Sequence, residues 1–321
     1  MSSKLLRGLV WTGVALAGIS IVNAEIARRV DPLDPAGPLD GEPGYYQWSL
    51  GRVFYTVKGQ GRPVVLVHGF SIGADSSEWR HVFGTLSERF RVYAYDQLGF
   101  GLSDRPDITY NPDLYVRLQR DFLRDVVGGK SMVVASRLAA AHALVAASLY
   151  PTLYERLVLL HPSYVRGILK RPGWEWSLAH TLLRSPVLGE LLVNIIASRS
   201  SIARQHGDEL TLLPGKIDPA VVDACYASSH QPGARHAIAS FISGFLDVDV
   251  RLAFARLTQP VTVLWGEGGQ IPSGRINHFM NLNPRAQVIT LDGAGSDIAN
   301  ERPAELVSVI ESQMEGGVAA G

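Results

Sequence analysis

The chain has 321 residues, with 30 basic and 30 acidic side chains in balance, and no basic stripe interleaved with aromatics, which argues against nucleic acid as a partner. Its one cysteine, Cys225, excludes an intrachain disulfide and any cysteine-based metal cluster. No P-loop, dinucleotide fingerprint, H-E-x-x-H motif or internal repeat occurs, so neither a cofactor nor a metal is expected.

Lys4 and Arg7 precede an apolar stretch over 8–22, which is followed by Asn23, Ala24, Glu25, Arg28 and Arg29. Continued as a helix through Ile26, it nearly reaches the roughly 20 residues that a bilayer span requires. This predicts a single N-terminal membrane anchor over 1–30, in contact with lipid. Ala24, with Val22 two residues before it, also fits a cleaved signal peptide and a secreted product. Basic residues flank both sides, so the side of the membrane stays open. Pro32, Pro35, Pro38 and Pro43 then make 31–44 a stiff linker.

The next part alternates short apolar runs with helical patterns. Pro63 to Val67, Arg91 to Tyr95, Met132 to Ser136, Leu157 to His161, Val261 to Trp265 and Gln287 to Leu291 are rich in Val and Leu and bounded by Gly, Pro or Asp, as strands buried on both faces are. Between them, 79–89, 114–127 and 138–149 read as helices. The alternation predicts an α/β fold whose mostly parallel central sheet is flanked by helices. Ligands bind such sheets beyond the carboxyl ends of the strands. His68, Ser136, Arg137, His161, Glu267 and the loop 293–297 fall there. The segment 165–250 interrupts the alternation with helices punctuated by Pro172-Gly173, Pro186, Pro214-Gly215 and Pro232-Gly233, a helical cap inserted into a core of 45–164 and 251–315.

Several stretches in order, from about Tyr45 to Val309, resemble the α/β-hydrolase superfamily. They are the His68-Gly69 turn after its strand, Asp96-Gln97-Leu98-Gly99-Phe100-Gly101-Leu102-Ser103, the strand ending at His161-Pro162, Trp265-Gly266-Glu267, and Glu301-Arg302-Pro303 opening a last helix. The resemblance implies an α/β-hydrolase fold with a helical cap, an oxyanion-hole amide at the His68-Gly69 turn, and a nucleophile on a strained strand-to-helix turn. The positions that match the family's nucleophile, acid and histidine are Arg137, Gly269 and Ser296. Arginine cannot attack a carbonyl, because its guanidinium stays protonated. Triad chemistry needs all three roles, so the replacements predict a catalytically degenerate member.

The expectation is therefore a membrane-anchored, non-catalytic protein, either an accessory subunit docking membrane-protein partners or a ligand-binding pseudoenzyme. His68, Gly69, Phe70, Arg137 and Leu138 would then form the binding set, with an anionic small molecule as the ligand. The alternative is an esterase- or lipase-like hydrolase with a non-standard site, in which Ser136 pairs with His161. Asp96 and Asp104 are expected to pin turns through backbone amides. A buried guanidinium without a partner would cost several kcal/mol, so Arg137 is expected to pair with Glu267 or Asp297.

Overall fold

The computed structural model describes residues 3–162, 173–207, 218–266 and 280–315, with side chains from residue 11 onward. A 26-residue helix, α1 (Ser3–Arg28), precedes the strands β1 (Glu42–Trp48), β2 (Gly51–Lys58), β3 (Pro63–Val67) and β4 (Arg91–Tyr95). β5 (Ser131–Ser136), β6 (Tyr154–Leu160), β7 (Val261–Gly266) and β8 (Gln287–Leu291) complete one eight-stranded sheet of order β1-β2-β4-β3-β5-β6-β7-β8. The β1–β2 and β2–β4 pairs are antiparallel, and the remaining neighbours are parallel.

Successive side chains of a strand point to opposite faces, and the apolar runs supply both. Val65, Val67, Val133, Ala135, Leu157 and Leu159 face one core. Val64, Leu66, Val134, Val158, Leu160 and Leu264 face the other. Helices α3 (Pro112–Phe122), α4 (Arg137–Leu149) and α10 (Arg251–Arg256) cover the first, while α2 (Phe83–Ser87) and the C-terminal α12 (Pro303–Glu315) close the second. A short helix, α11 (Ile298–Glu301), precedes α12. Asn111 caps α3 by accepting from Leu114 N at 2.9 Å, and Pro112 occupies its first turn, where its missing N–H is harmless. The helix expected over 79–89 is instead a 3-10 turn, Ser76–Trp79, followed by α2; buried Trp79, Val82, Phe83 and Leu86 reach the core from these two short pieces.

Between β6 and α10 lie α5 (Trp174–Arg184), α6 (Leu188–Ile196), α7 (Arg199–Gln205), α8 (Pro219–Ser229) and α9 (Ala234–Ile242). They share a core of Leu183, Val193, Ala197, Ile202 and Ile238 that also takes Ile72 from the loop after β3. Arg184 bonds Asp107 at 2.5 Å, tying these helices to the loop ahead of α3. The N-terminal helix packs on them too, since Asn23 Nδ2 donates to Val187 O and Asn194 Nδ2 donates to Asn23 Oδ1.

The predicted membrane anchor is not borne out. Among the described residues no helix is long and apolar enough to cross a membrane. Thr12, Ser20, Asn23 and Glu25 break the apolar run of α1, and its Asn23 is spent on polar bonds to α6.

The loop after β4 is held as the sequence suggests. Asp96, 1% exposed, accepts from Ser76 N at 2.8 Å and from Leu102 N at 2.7 Å. Gly101 lies against that carboxylate at φ 50, where any side chain would collide with it. Asp104 likewise accepts from Arg52 N at 2.8 Å. Truncating Asp96 strands one buried and one part-buried backbone donor, so Asp96→Ala is expected to lower stability by about 2 kcal/mol or more. A urea unfolding midpoint unchanged from wild type would show that the pin carries no such weight.

Candidate active site

β5 delivers its last residue, Ser136, in extended conformation, and the chain turns at once into α4 through Arg137 at φ 49. A non-glycine residue in this region carries strain of about 1–3 kcal/mol. His161, at the end of neighbouring β6, has φ 41, so the two strained side-chain-bearing positions among the described residues sit side by side at the carboxyl edge of the sheet. The turn expected of a strand-to-helix elbow has formed, with an arginine at its tip.

The guanidinium is nearly buried, its side chain 12% exposed. Its partner is Glu78, in the 3-10 turn after β3: Arg137 Nη2 lies 3.4 Å from Glu78 Oε2. The same oxygen accepts from Gly69 N at 2.7 Å. Gly69 is glycine for a steric reason, since a Cβ there would stand 2.7 Å from Arg137 Nε and 2.8 Å from Ser136 Oγ. Of the expected partners, Glu267 lies outside the described residues. Asp297 lines the same cavity as Arg137, but its carboxylate accepts from Asn300 Nδ2 at 2.8 and 3.0 Å. Asp75-x-x-Glu78 is the one local sequence signal that could have pointed to Glu78. It reads as a capping box, of which only half forms: Asp75 caps Ser77 N, while Glu78 reaches across to Gly69.

Glu78 after β3, Arg137 after β5 and Asp297 after β8 thus converge on a cavity of about 40 Å³, with His206 and Cys225 approaching from the cap helices. That volume admits only a few water molecules. Burial raises the pKa of the Asp297 carboxyl, opposed by the nearby charge of Arg137. Burial pushes the Cys225 thiol up to about 12 and His206 down to about 4. Their Sγ and Nε2 atoms are 3.7 Å apart, yet a thiol so far from its thiolate is a poor nucleophile.

The other expected site residues divide clearly. His68 Nε2 accepts from Gln97 N at 3.0 Å, which fixes the tautomer so that its Nδ1–H donates to Gly69 O at 2.8 Å. The ring is fully buried and shapes the turn, and burial lowers its pKa. Phe70 packs edge-on against Phe100, Tyr115 and His142, and Leu138 joins the same core. Ser136 Oγ, buried against Gly69, has no hydrogen-bond partner among the described residues. The His161 ring stacks on Trp265 with centroids 4.1 Å apart, so Ser136 and His161 turn toward different neighbouring strands. Ser296 is buried, and Gly269 lies outside the described residues.

Residues 64–309 match the model of the alpha/beta hydrolase family. The 2-hydroxy-6-oxo-6-(2'-aminophenyl)hexa-2,4-dienoic acid hydrolase of Metapseudomonas resinovorans is 38% identical over 108 residues, which span 33% of this chain and 37% of that enzyme. An uncharacterized protein of Mycobacterium tuberculosis is 26% identical over 272 residues, 82% of this chain and 78% of its own. The crystal structure of a serine hydrolase involved in carbazole degradation superposes with a TM-score of 0.70 at 23% identity, covering 85% of this chain and 98% of that one, a likeness of fold.

These findings overturn the expectation of a non-catalytic protein, whether an accessory subunit of a membrane complex or a ligand-binding pseudoenzyme. The Metapseudomonas relative is named as a hydrolase, and no spanning helix is found among the described residues. The replaced triad positions are facts of the sequence, but they do not by themselves establish loss of catalysis. With the family model matched on both sides of the cap helices and the sheet order in place, the chain belongs to the alpha/beta hydrolase family.

Proposed function

We propose that the chain is a hydrolase of small ester-type substrates that works without a nucleophile at the elbow tip. The observation that carries this reading is the convergence of Arg137 and Asp297, from the loops after β5 and β8, on one cavity at the carboxyl edge of the sheet. The Metapseudomonas relative, named as a hydrolase of a dienoic acid, supports the reaction class.

Arg137 receives the charged group of the substrate, and the cavity beside it, which admits only a few water molecules, holds the attacking water. Asp297 is the general base: it takes a proton from water as the water oxygen bonds to the acyl carbon. The tetrahedral intermediate then collapses, the carbon–oxygen bond to the leaving alcohol breaks, and Asp297 returns the proton to that oxygen. Acid and alcohol are the products. A carboxylate whose pKa is raised toward the working pH suits this task, because it binds the proton more strongly and still gives it up. Direct attack by water needs neither a serine nor a histidine. His206 and Cys225, from the cap helices, line the cavity beside these core loops.

Hydrolysis by the full chain of short phenyl esters that carry a free carboxylate, such as 4-acetoxybenzoate, tests this. Asp297→Asn is expected to cut kcat by roughly 100-fold or more, the usual weight of a general base. Arg137→Met should act mainly by raising KM, and Ser136→Ala should keep most of the turnover. Turnover that disappears with Ser136→Ala and survives Asp297→Asn would put the chemistry on the serine and contradict the reading.

The pH dependence follows from the same shift. With a base of raised pKa, kcat/KM should rise with pH through a value above the ordinary 3.8 of an aspartate. Stability runs the other way. Folded Asp297 keeps its proton at pH values where the unfolded chain has lost it, so its contribution is fully present below 3.8 and is lost as pH rises through the folded pKa. Asp297→Asn should flatten that decline in a urea-unfolding series across pH; an unaltered slope would show that the carboxyl is not perturbed.

A further inference from the structure

We infer that Gly69 N–H and Arg137 form a subsite for a substrate carboxylate, and that the chain's own Glu78 occupies it until the substrate displaces it. This deepens the hydrolase reading and, as a statement about substrates, rests on it. The affinity of the subsite can be measured without turnover.

Two donors from separate loops, Gly69 N and Arg137 Nη2, converge on the single oxygen Glu78 Oε2. Fixed N–H groups that meet on one carboxylate oxygen make a carboxylate receptor, whichever carboxylate fills it. Glu78 fills it imperfectly. Its contact to the guanidinium is 3.4 Å, whereas a charge-assisted hydrogen bond lies at about 2.7–2.9 Å. Arg137 Nε, buried on the edge that faces Gly69, has no hydrogen-bond partner among the described residues. A free carboxylate is not tied to the backbone of the Ser76–Trp79 turn, so it can engage Nε and Nη2 together in the two-bond geometry that arginine favours.

Displacement needs somewhere for Glu78 to go, and the structure provides it. Arg80 lines the same cavity, with Nη1 making only a 3.4 Å bond to Ser77 O. The backbone of the turn need not move, because Asp75 on Ser77 N and Asp96 on Ser76 N hold it independently of the Glu78 side chain. Glu78 is thus a specificity-determining residue. A neutral substrate cannot replace its charge against Arg137, whereas a carboxylate exchanges one ion pair for a better one.

The test is calorimetric titration of the full chain with acetate, and with acetamide as the neutral match, at constant ionic strength. Glu78→Ala should bind acetate at least tenfold more tightly than wild type and acetamide no better. Adding Arg137→Met to that variant should abolish the gain. Glu78→Gln keeps the size of the side chain and removes its charge, so it should show a smaller gain in the same direction even if the alanine variant fails to fold. Acetate binding that is unchanged or weakened in both Glu78 variants overturns the subsite, as does an equal gain for acetamide. The two readings separate cleanly. Ester turnover without any gain in acetate affinity sinks the subsite and spares the hydrolase, while tighter acetate binding in a chain inert toward every ester sinks the hydrolase and leaves the subsite standing.

Discussion

A guanidinium taken out of water at the carboxyl edge of a parallel sheet has to be answered by negative charge, and the site is organised around that requirement. Arg137 stands where the family's fold turns most sharply, in a backbone conformation that projects its side chain over the cavity. Removing one partner from a buried ion pair typically costs about 3–5 kcal/mol, so a carboxylate close by is an electrostatic necessity. Glu78 meets it, and Asp297 adds a second acidic group within the field of the same arginine. The residues around them keep this charge fixed in place: Gly69 by having no side chain, His68 by its locked tautomer, Asp96 by pinning the loops on either side.

The tip residue and the scaffold carry separable burdens. A strand-to-helix elbow depends on small neighbours and on a strand buried by both its flanks, and Ala135 and Ala139 satisfy this as well as glycine would. The chemistry depends on what the elbow presents. Once the nucleophile is arginine, an acyl-enzyme at that position is chemically excluded, but the cavity and a carboxyl of raised pKa are still present. Hydrolysis by an activated water requires only those, which is why a family of hydrolases and a missing serine are compatible.

Much of the architecture could be read from the chain. The Val- and Leu-rich runs became the parallel strands because alternate residues of each feed two different cores, and the left-handed Arg137 is where the apolar strand gives way to the alanine-rich helix. The N-terminal stretch was legible as a helix but misread as a span: its apolar run is interrupted, and Asn23 finds polar partners on α6 that sequence spacing could not reveal. Arg137 was found by its position, its partner was not. Glu78 lies 59 residues away, in a turn whose pattern suggests a local cap, and the choice between Glu78 and the expected Asp297 is made by tertiary packing alone. Local patterns encode elements and turns; the pairing of two loops at a sheet edge is set by the strand order, which no local pattern contains.

The most direct measurement is the intact mass of the protein quenched during steady-state hydrolysis of 4-acetoxybenzoate, a phenyl ester that carries a free carboxylate. Attack by water on the bound ester predicts an unmodified mass while product accumulates. A covalent acyl adduct that forms and decays at the turnover rate would contradict the account, and an absence of product with intact, folded protein would remove the hydrolase reading altogether.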